Sequence, residues 1–220
     1  MVLYAVLAAS SRHRALLMEQ PEDEASFYHG QCLRLVIDAL SSSERHDDNL
    51  LASVVLLRVY EEIEQSTDTH LHLQGMGRLM STIPGFAHSG GLAEACCWMF
   101  LRQDIFVSVV TCQPPTSCLE NYDRSEAFKF RDDGACANVI VLLFAKVLRL
   151  VHSANQDGDN EHWLVLESDV ERWNERRQML FQPVYEEDLD LDEDRPFPVI
   201  CMINGPQGSA SSSSHSQYRC

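Results

Sequence analysis

The stretch LLASVVLLRVYEEIE, Leu50–Glu64, decides the fold. Leu50, Leu51, Val54, Val55, Leu56, Leu57, Val59, Tyr60 and Ile63 place apolar side chains on almost every face of an α-helix. Asp47 and Asp48, just ahead, are both good N-caps. A helix apolar nearly all round must sit centrally in a core, so the reading predicts that Val54→Asp prevents folding.

Outward from this helix the same periodicity recurs, with caps and breakers in register and no hairpin signal. A first helix spans about Leu3–Met18, before Pro21. A second opens at Pro21, with Glu22, Asp23 and Glu24 suited to the positive end of its dipole. Leu33, Val36, Ile37 and Leu40 form its apolar stripe. A short helix is expected over about Thr69–Met80, ended by Pro84-Gly85. The next begins at Ser89 and runs to about Val110, with Leu92, Cys96, Met99 and Phe100 as its buried side. Pro114-Pro115 end it, and Ser117–Arg131 reads as a loop.

A sixth helix, capped by Asp132 or Asp133, reaches about His152, with Ile140, Leu143, Phe144 and Val147 as its stripe. A seventh covers Asp159–Gln178, with Trp163, Leu166, Val170 and Trp173 on one face. The expected fold is therefore all-α, a bundle of about seven packed helices. Leu50–Ile63 and Leu92–Val110 should be the most buried. The helical domain is expected over 1–204, with an acidic loop at about 186–195. The Ser-rich stretch 205–220 cannot bury a core and is expected to be a disordered tail.

Composition narrows the function classes. The 220 residues are 45% hydrophobic and 23% charged, ordinary for a globular chain, but the net charge is −16. Nucleic acid and anionic membranes call for a basic surface, so neither is an expected partner. Unbroken apolar runs such as Val139–Ala145 are far shorter than the ~20 residues of a bilayer helix. The apolar start, Met1–Ala9, has no basic residue before it, so a signal peptide is not expected. The eight cysteines read as reduced and mostly buried, with Cys220 the exposed exception.

No chemistry-bearing pattern stands out. His70 and His72 point to different sides of a helix, and Cys112 and Cys118 do not match a structural zinc spacing. Ser89-Gly90-Gly91 sits where a helix cap is needed. Cys97 lies in an apolar helix, where the thiolate is disfavoured. Gly75-Met76-Gly77 lacks the third glycine and preceding strand of a dinucleotide fingerprint. Arg58 or Arg102 is expected to hold one of Glu61, Glu62 and Glu64, and Arg102 and Asp104 to join a polar network between helices. No catalytic, cofactor-binding or metal-binding residue is nominated, no cofactor is expected, and the chain reads as non-enzymatic. The acidic residues among Leu189, Leu191 and Phe197 have the composition of transcriptional activation segments; a solvated loop with no partner is the commoner outcome of such a run.

Several stretches together resemble the regulatory domain of fungal-specific transcription factors of the zinc binuclear-cluster class. They are Leu50–Glu64 followed by HLHLQGMGRLM (His70–Met80), and GLAEACCWMFLRQDIFVSVV (Gly91–Val110) with its W-x-x-L-R-Q-D-I core. The helix carrying Trp163 and Trp173, FQPVY (Phe181–Tyr185), FPVICMIN (Phe197–Asn204) and the opening YAVLAASSRH (Tyr4–His13) complete the set. In order they cover residues 2 to 204. The resemblance implies an all-helical domain that tunes a transcription factor in the nucleus. It supplies no catalytic residues. The family's six-cysteine zinc motif has no counterpart here, so zinc and DNA binding are not carried over. The family's helices also continue beyond a segment like FPVICMIN, whereas this sequence changes character at Gly205. A partial domain is therefore expected, with apolar faces left open. Its partners would be other proteins or a second copy; a small-molecule effector is unknown. The alternative is a stand-alone helical interaction scaffold without DNA-binding activity.

Overall fold

A computed structural model describes residues 1–42, 47–64, 84–129, 133–153, 159–176, 183–186 and 200–201. The fold is all-α. The described α-helices are α1 (Val2–Met18), α2 (Asp23–Ser41), α3 (Asp48–Glu64), α4 (Gly91–Thr111), α5 (Asp133–Ser153) and α6 (Asp159–Arg176). Short 3-10 turns cover Pro84–His88, Leu119–Asn121 and Glu126–Lys129. Strands β1 (Tyr185–Glu186) and β2 (Ile200–Cys201) pair antiparallel, Tyr185 opposite Cys201. They belong to the FQPVY and FPVICMIN stretches. The expected helix at 69–80, most of the acidic run and the Ser-rich tail lie outside the described residues.

The chain forms two compact units, Met1–Phe100 and Leu101–Cys220. In the first, α1 packs against both α2 and α3. Small side chains make that approach possible: Ala5 and Ala8 are fully buried. Ala5 meets Cys32, Val36, Leu50 and Leu57, while Ala8 meets Ala25 and Tyr60. The His29 ring stacks on Tyr60 at 4.3 Å. α3 behaves as its composition requires, burying Leu50, Leu51, Ala52, Val55, Leu57 and Tyr60. The Asp47 carboxylate caps it, accepting the Leu50 N–H at 2.9 Å. That bond holds the Asp47 carboxyl below its usual range, helped by the Asn49 amide.

Two details of α2 differ from the sequence expectation. It starts at Asp23 rather than Pro21, because Glu22 takes the N-cap place and pairs with the buried Arg12 of α1. Its core face is Ala25, Cys32 and Val36, with Leu33 and Ala39 partly buried, while Ile37 and Leu40 are exposed. The small Ala25 and Cys32 let α1 come close, and so rotate the stripe away from the larger residues.

In the second unit α5 packs against α6. Ala137, Ile140 and Leu143 meet Leu166, Val170 and Trp173; all but Ala137 lie on the expected stripes, while Phe144, Val147 and Trp163 are half-buried outside this cluster. The Trp173 indole donates to the Cys136 carbonyl at 2.9 Å. By length and composition Gly134–Ser153 is apolar enough to cross a bilayer. Counting unbroken runs had hidden this. One of its faces packs on α6, and its Lys146 and Arg149 make the ion pairs described below.

α4 is less enclosed than its sequence suggested. Cys96 and Phe100 are buried, with Ala93, Cys97, Trp98, Leu101 and Ile105. Leu92 and Met99 are not, at 48% and 40% exposure, and Phe106, Val109 and Val110 also face outward. An apolar residue can cost little on a surface, so composition alone overstates burial.

Candidate functional site

The polar groups inside α3 and α4 are where chemistry would be sought. Arg58 is buried in α3 and pairs along its own helix, with Glu61 at 3.9 Å and Glu62 at 3.5 Å. At the start of α4, Gly90 and Gly91 both take left-handed backbone (φ 74° and 65°), which suits residues without a side chain. Ser89 does not cap the helix: its hydroxyl donates to the Phe86 carbonyl at 3.1 Å. The buried Glu94 instead reaches back, accepting the Gly90 N–H at 2.8 Å and the Trp98 indole N–H at 3.5 Å.

Farther along α4, Arg102 donates to the Asn138 side chain of α5 at 2.7 Å. Desolvation lowers its pKa from the usual guanidinium value. Asp104, 2% exposed, makes the densest polar contact. Its Oδ1 accepts the Thr116 N–H at 3.1 Å and the Thr116 hydroxyl at 2.9 Å. Its Oδ2 accepts the Ser117 N–H at 2.8 Å and the Ser117 hydroxyl at 2.7 Å. Arg102 thus does link two helices, as expected, whereas Asp104 binds a loop. Between them Gln103 is buried, with neither side-chain amide atom hydrogen-bonded among the described residues.

The loop after α4 folds back in steps. Cys112 takes the left-handed conformation that ends the helix (φ 53°), and Gln113 is tied to Ser108 through its N–H and its carbonyl. Beyond the Asp104 clamp the chain buries Leu119, Tyr122 and Ser125. α5 then holds it through Lys146 to Asp123 and Arg149 to Glu120, both at 2.7 Å. The stretch expected to be a plain loop is a pinned segment. The only sequence hint was the count of Ser and Thr beside Pro114-Pro115.

Catalytic prerequisites are thin. Burial pushes the Cys97 thiol up to about 12, with Cys96 and Glu94 adding to it, which leaves no nucleophilic thiolate at neutral pH. Burial also raises Cys32 and Cys96. Among the described residues no three His, Cys, Asp or Glu side chains come close enough to hold a metal ion. Among the described residues Cys32, Cys96, Cys97, Cys112, Cys118 and Cys136 form no disulfide; Cys32, Cys96 and Cys97 are buried, but Cys112 and Cys118 are exposed. Cys136 in α5 is half-buried, so full burial belongs to the cysteines of α2 and α4 alone among these six. His70, His72, Gly75 and Gly77 lie outside the described residues.

Among the polar groups of α4, Glu94 thus serves the helix start, Arg102 a link to α5 and Asp104 the attachment of the following loop. No curated protein and no solved structure matches the chain. A family model does: that of the fungal-specific transcription factor domain, over residues 1–194. With most of its length matched, and with the helical architecture that its sequence implied, the chain belongs to the fungal-specific transcription factor domain family.

Proposed function

We propose that this chain is a non-enzymatic regulatory domain acting in the nucleus, in or derived from a zinc-cluster transcription factor, through contacts with proteins and not with DNA. The family match over 1–194 carries the reading. Two properties support it. The net charge of −16 opposes a polyanionic partner. Large apolar side chains stand in solvent, among them Leu3, Val6 and Leu17 on α1 and Phe106, Val109 and Val110 on α4. Contiguous apolar surface larger than a few hundred Å2 marks a protein partner surface, and side chains such as these are what such a patch is built from.

The experiment fuses the chain to an unrelated DNA-binding module and reads a reporter gene in a fungal cell. The expected result is an altered reporter output that a fold-breaking substitution in α3 abolishes, with the tagged chain in the nucleus. Unchanged output, with the protein present and folded, would favour the scaffold reading. Measurable binding to duplex DNA at physiological salt would overturn the protein-contact reading.

A further inference from the structure

The Asp104 clamp hides a phosphoacceptor. We propose that Ser117 is phosphorylated by an acid-directed protein kinase, that it is available only when the clamp opens, and that the phosphate then holds the clamp open. This goes beyond the regulatory reading and stands whether or not the chain controls transcription.

Three observations carry it. First, Ser117 is only 9% exposed and its hydroxyl proton is committed to Asp104 at 2.7 Å, so the closed loop presents no nucleophile to a phosphoryl donor. Second, Glu120 stands three residues after Ser117; in the closed loop it pairs with Arg149 at 2.7 Å, and once the segment opens its charge is an acidic mark that a basic substrate groove can read. Thr116 is exposed but has Leu119 at that position. Third, Gln113, Pro114, Thr116 and Cys118 are exposed around the clamp while Pro115 and Leu119 are buried, so opening it means releasing the short stretch from Gln113 to Glu120 and leaves the helices folded.

The step is an ordinary phosphoryl transfer. The Ser117 Oγ attacks the γ-phosphorus of magnesium ATP, the Oγ–P bond forms and the bond to the ADP oxygen breaks. The hydroxyl proton passes to the kinase's base and then to solvent. The product carries a charge of roughly −1.5 to −2. Returning that group to the buried Asp104 carboxylate would bring like charges together out of water, so the closed loop is excluded.

The test incubates the full chain with an active acid-directed kinase and magnesium ATP, and measures each site by mass spectrometry. Ser168, with Glu171 three residues later on the exposed side of α6, is an internal control. In wild type Ser117 should be labelled slowly, and faster as sub-denaturing urea is raised. In Asp104→Asn it should be labelled about tenfold faster or more, the equivalent of one lost charge-assisted hydrogen bond. Ser168 should not respond to Asp104→Asn, and Ser117→Ala should remove the Ser117 signal alone. After labelling, the amide protons of Thr116 and Ser117 should lose their protection from exchange. Equal Ser117 rates in wild type and Asp104→Asn, no phosphate at Ser117 in either, or protection retained after phosphorylation would each overturn the proposal. Should Asp104→Asn fail to fold, the urea series in wild type decides: a Ser117 rate that ignores urea also overturns it.

Discussion

Arg58 in α3 and Asp104 in α4 interrupt two apolar helices of similar sequence character, and both are buried. Arg58 finds its partners one turn away, at Glu61 and Glu62. Asp104 finds its partners at Thr116 and Ser117, beyond the end of the helix and two prolines. A charge served by its own helix leaves the neighbouring chain free. A charge served from outside dictates where the neighbouring chain goes. α3 is consequently a closed local unit, whereas α4 organises the segment that follows it.

The largest effect is expected where α3 meets α1. Leu57 is 3% exposed, better enclosed than the half-buried Val54, so Leu57→Asp is the sharper break. It should cost about 5 kcal/mol or more, comparable with the roughly 5–15 kcal/mol that holds a whole domain. Circular dichroism should show lost helix; an unchanged spectrum and melting temperature would contradict the core assignment.

Next comes Asp104→Ala. It leaves the donors of Thr116 and Ser117 without their acceptor, so a loss of about 2–5 kcal/mol is expected. Hydrogen exchange should quicken first in 112–125. A uniform change over the whole chain would mean that Asp104 does not organise the loop.

Asp47 provides a smaller, pH-dependent effect. Asp47→Ala should cost about 1 kcal/mol, the usual worth of an N-cap. The folded-state pKa lies below the ordinary carboxylate value, so the contribution is present above the unfolded pKa and fades as pH falls through the folded one. Asp47→Asn should keep most of the cap and flatten that acid dependence; thermal melts at several acidic pH values would decide.

The smallest effect should be at the first member of the comparison. Arg58→Met keeps the aliphatic stem and removes ion pairs of 3.5–3.9 Å to partners that reach the surface, so it should change stability by only about 1 kcal/mol or less. A loss as large as that of Asp104→Ala would erase the distinction between the two charges.

What could be read in advance follows the same division. Helix positions, the Asp47 cap, the Leu166–Val170–Trp173 face and the Arg58 pairing are local, set within one or two turns of chain, and periodicity exposes them. The α2 core face was misjudged because it depends on how closely α1 approaches, which the alanines of another helix control. The Ser117–Arg131 segment reads as a loop in sequence because its anchors, Asp104, Lys146 and Arg149, are remote along the chain. Glu94 was overlooked because a serine beside two glycines advertises a cap more loudly than a glutamate inside the helix. The family resemblance is legible because its longest stretches, Leu50–Glu64 and Gly91–Val110, are such local helical segments.

The spread of thiols has a practical consequence. Cys112 and Cys118 stand in solvent on either side of the Asp104-bound residues, while Cys97 is sealed in α4 with its proton held up to about 12. An alkylating reagent thus meets a built-in stopwatch. Its early marks fall on Cys112 and Cys118, which stand open with the loop closed and set the baseline rate. A mark on Cys97 is stamped only when α4 itself comes apart, so the interval between the two kinds of adduct mass times the opening of the helix.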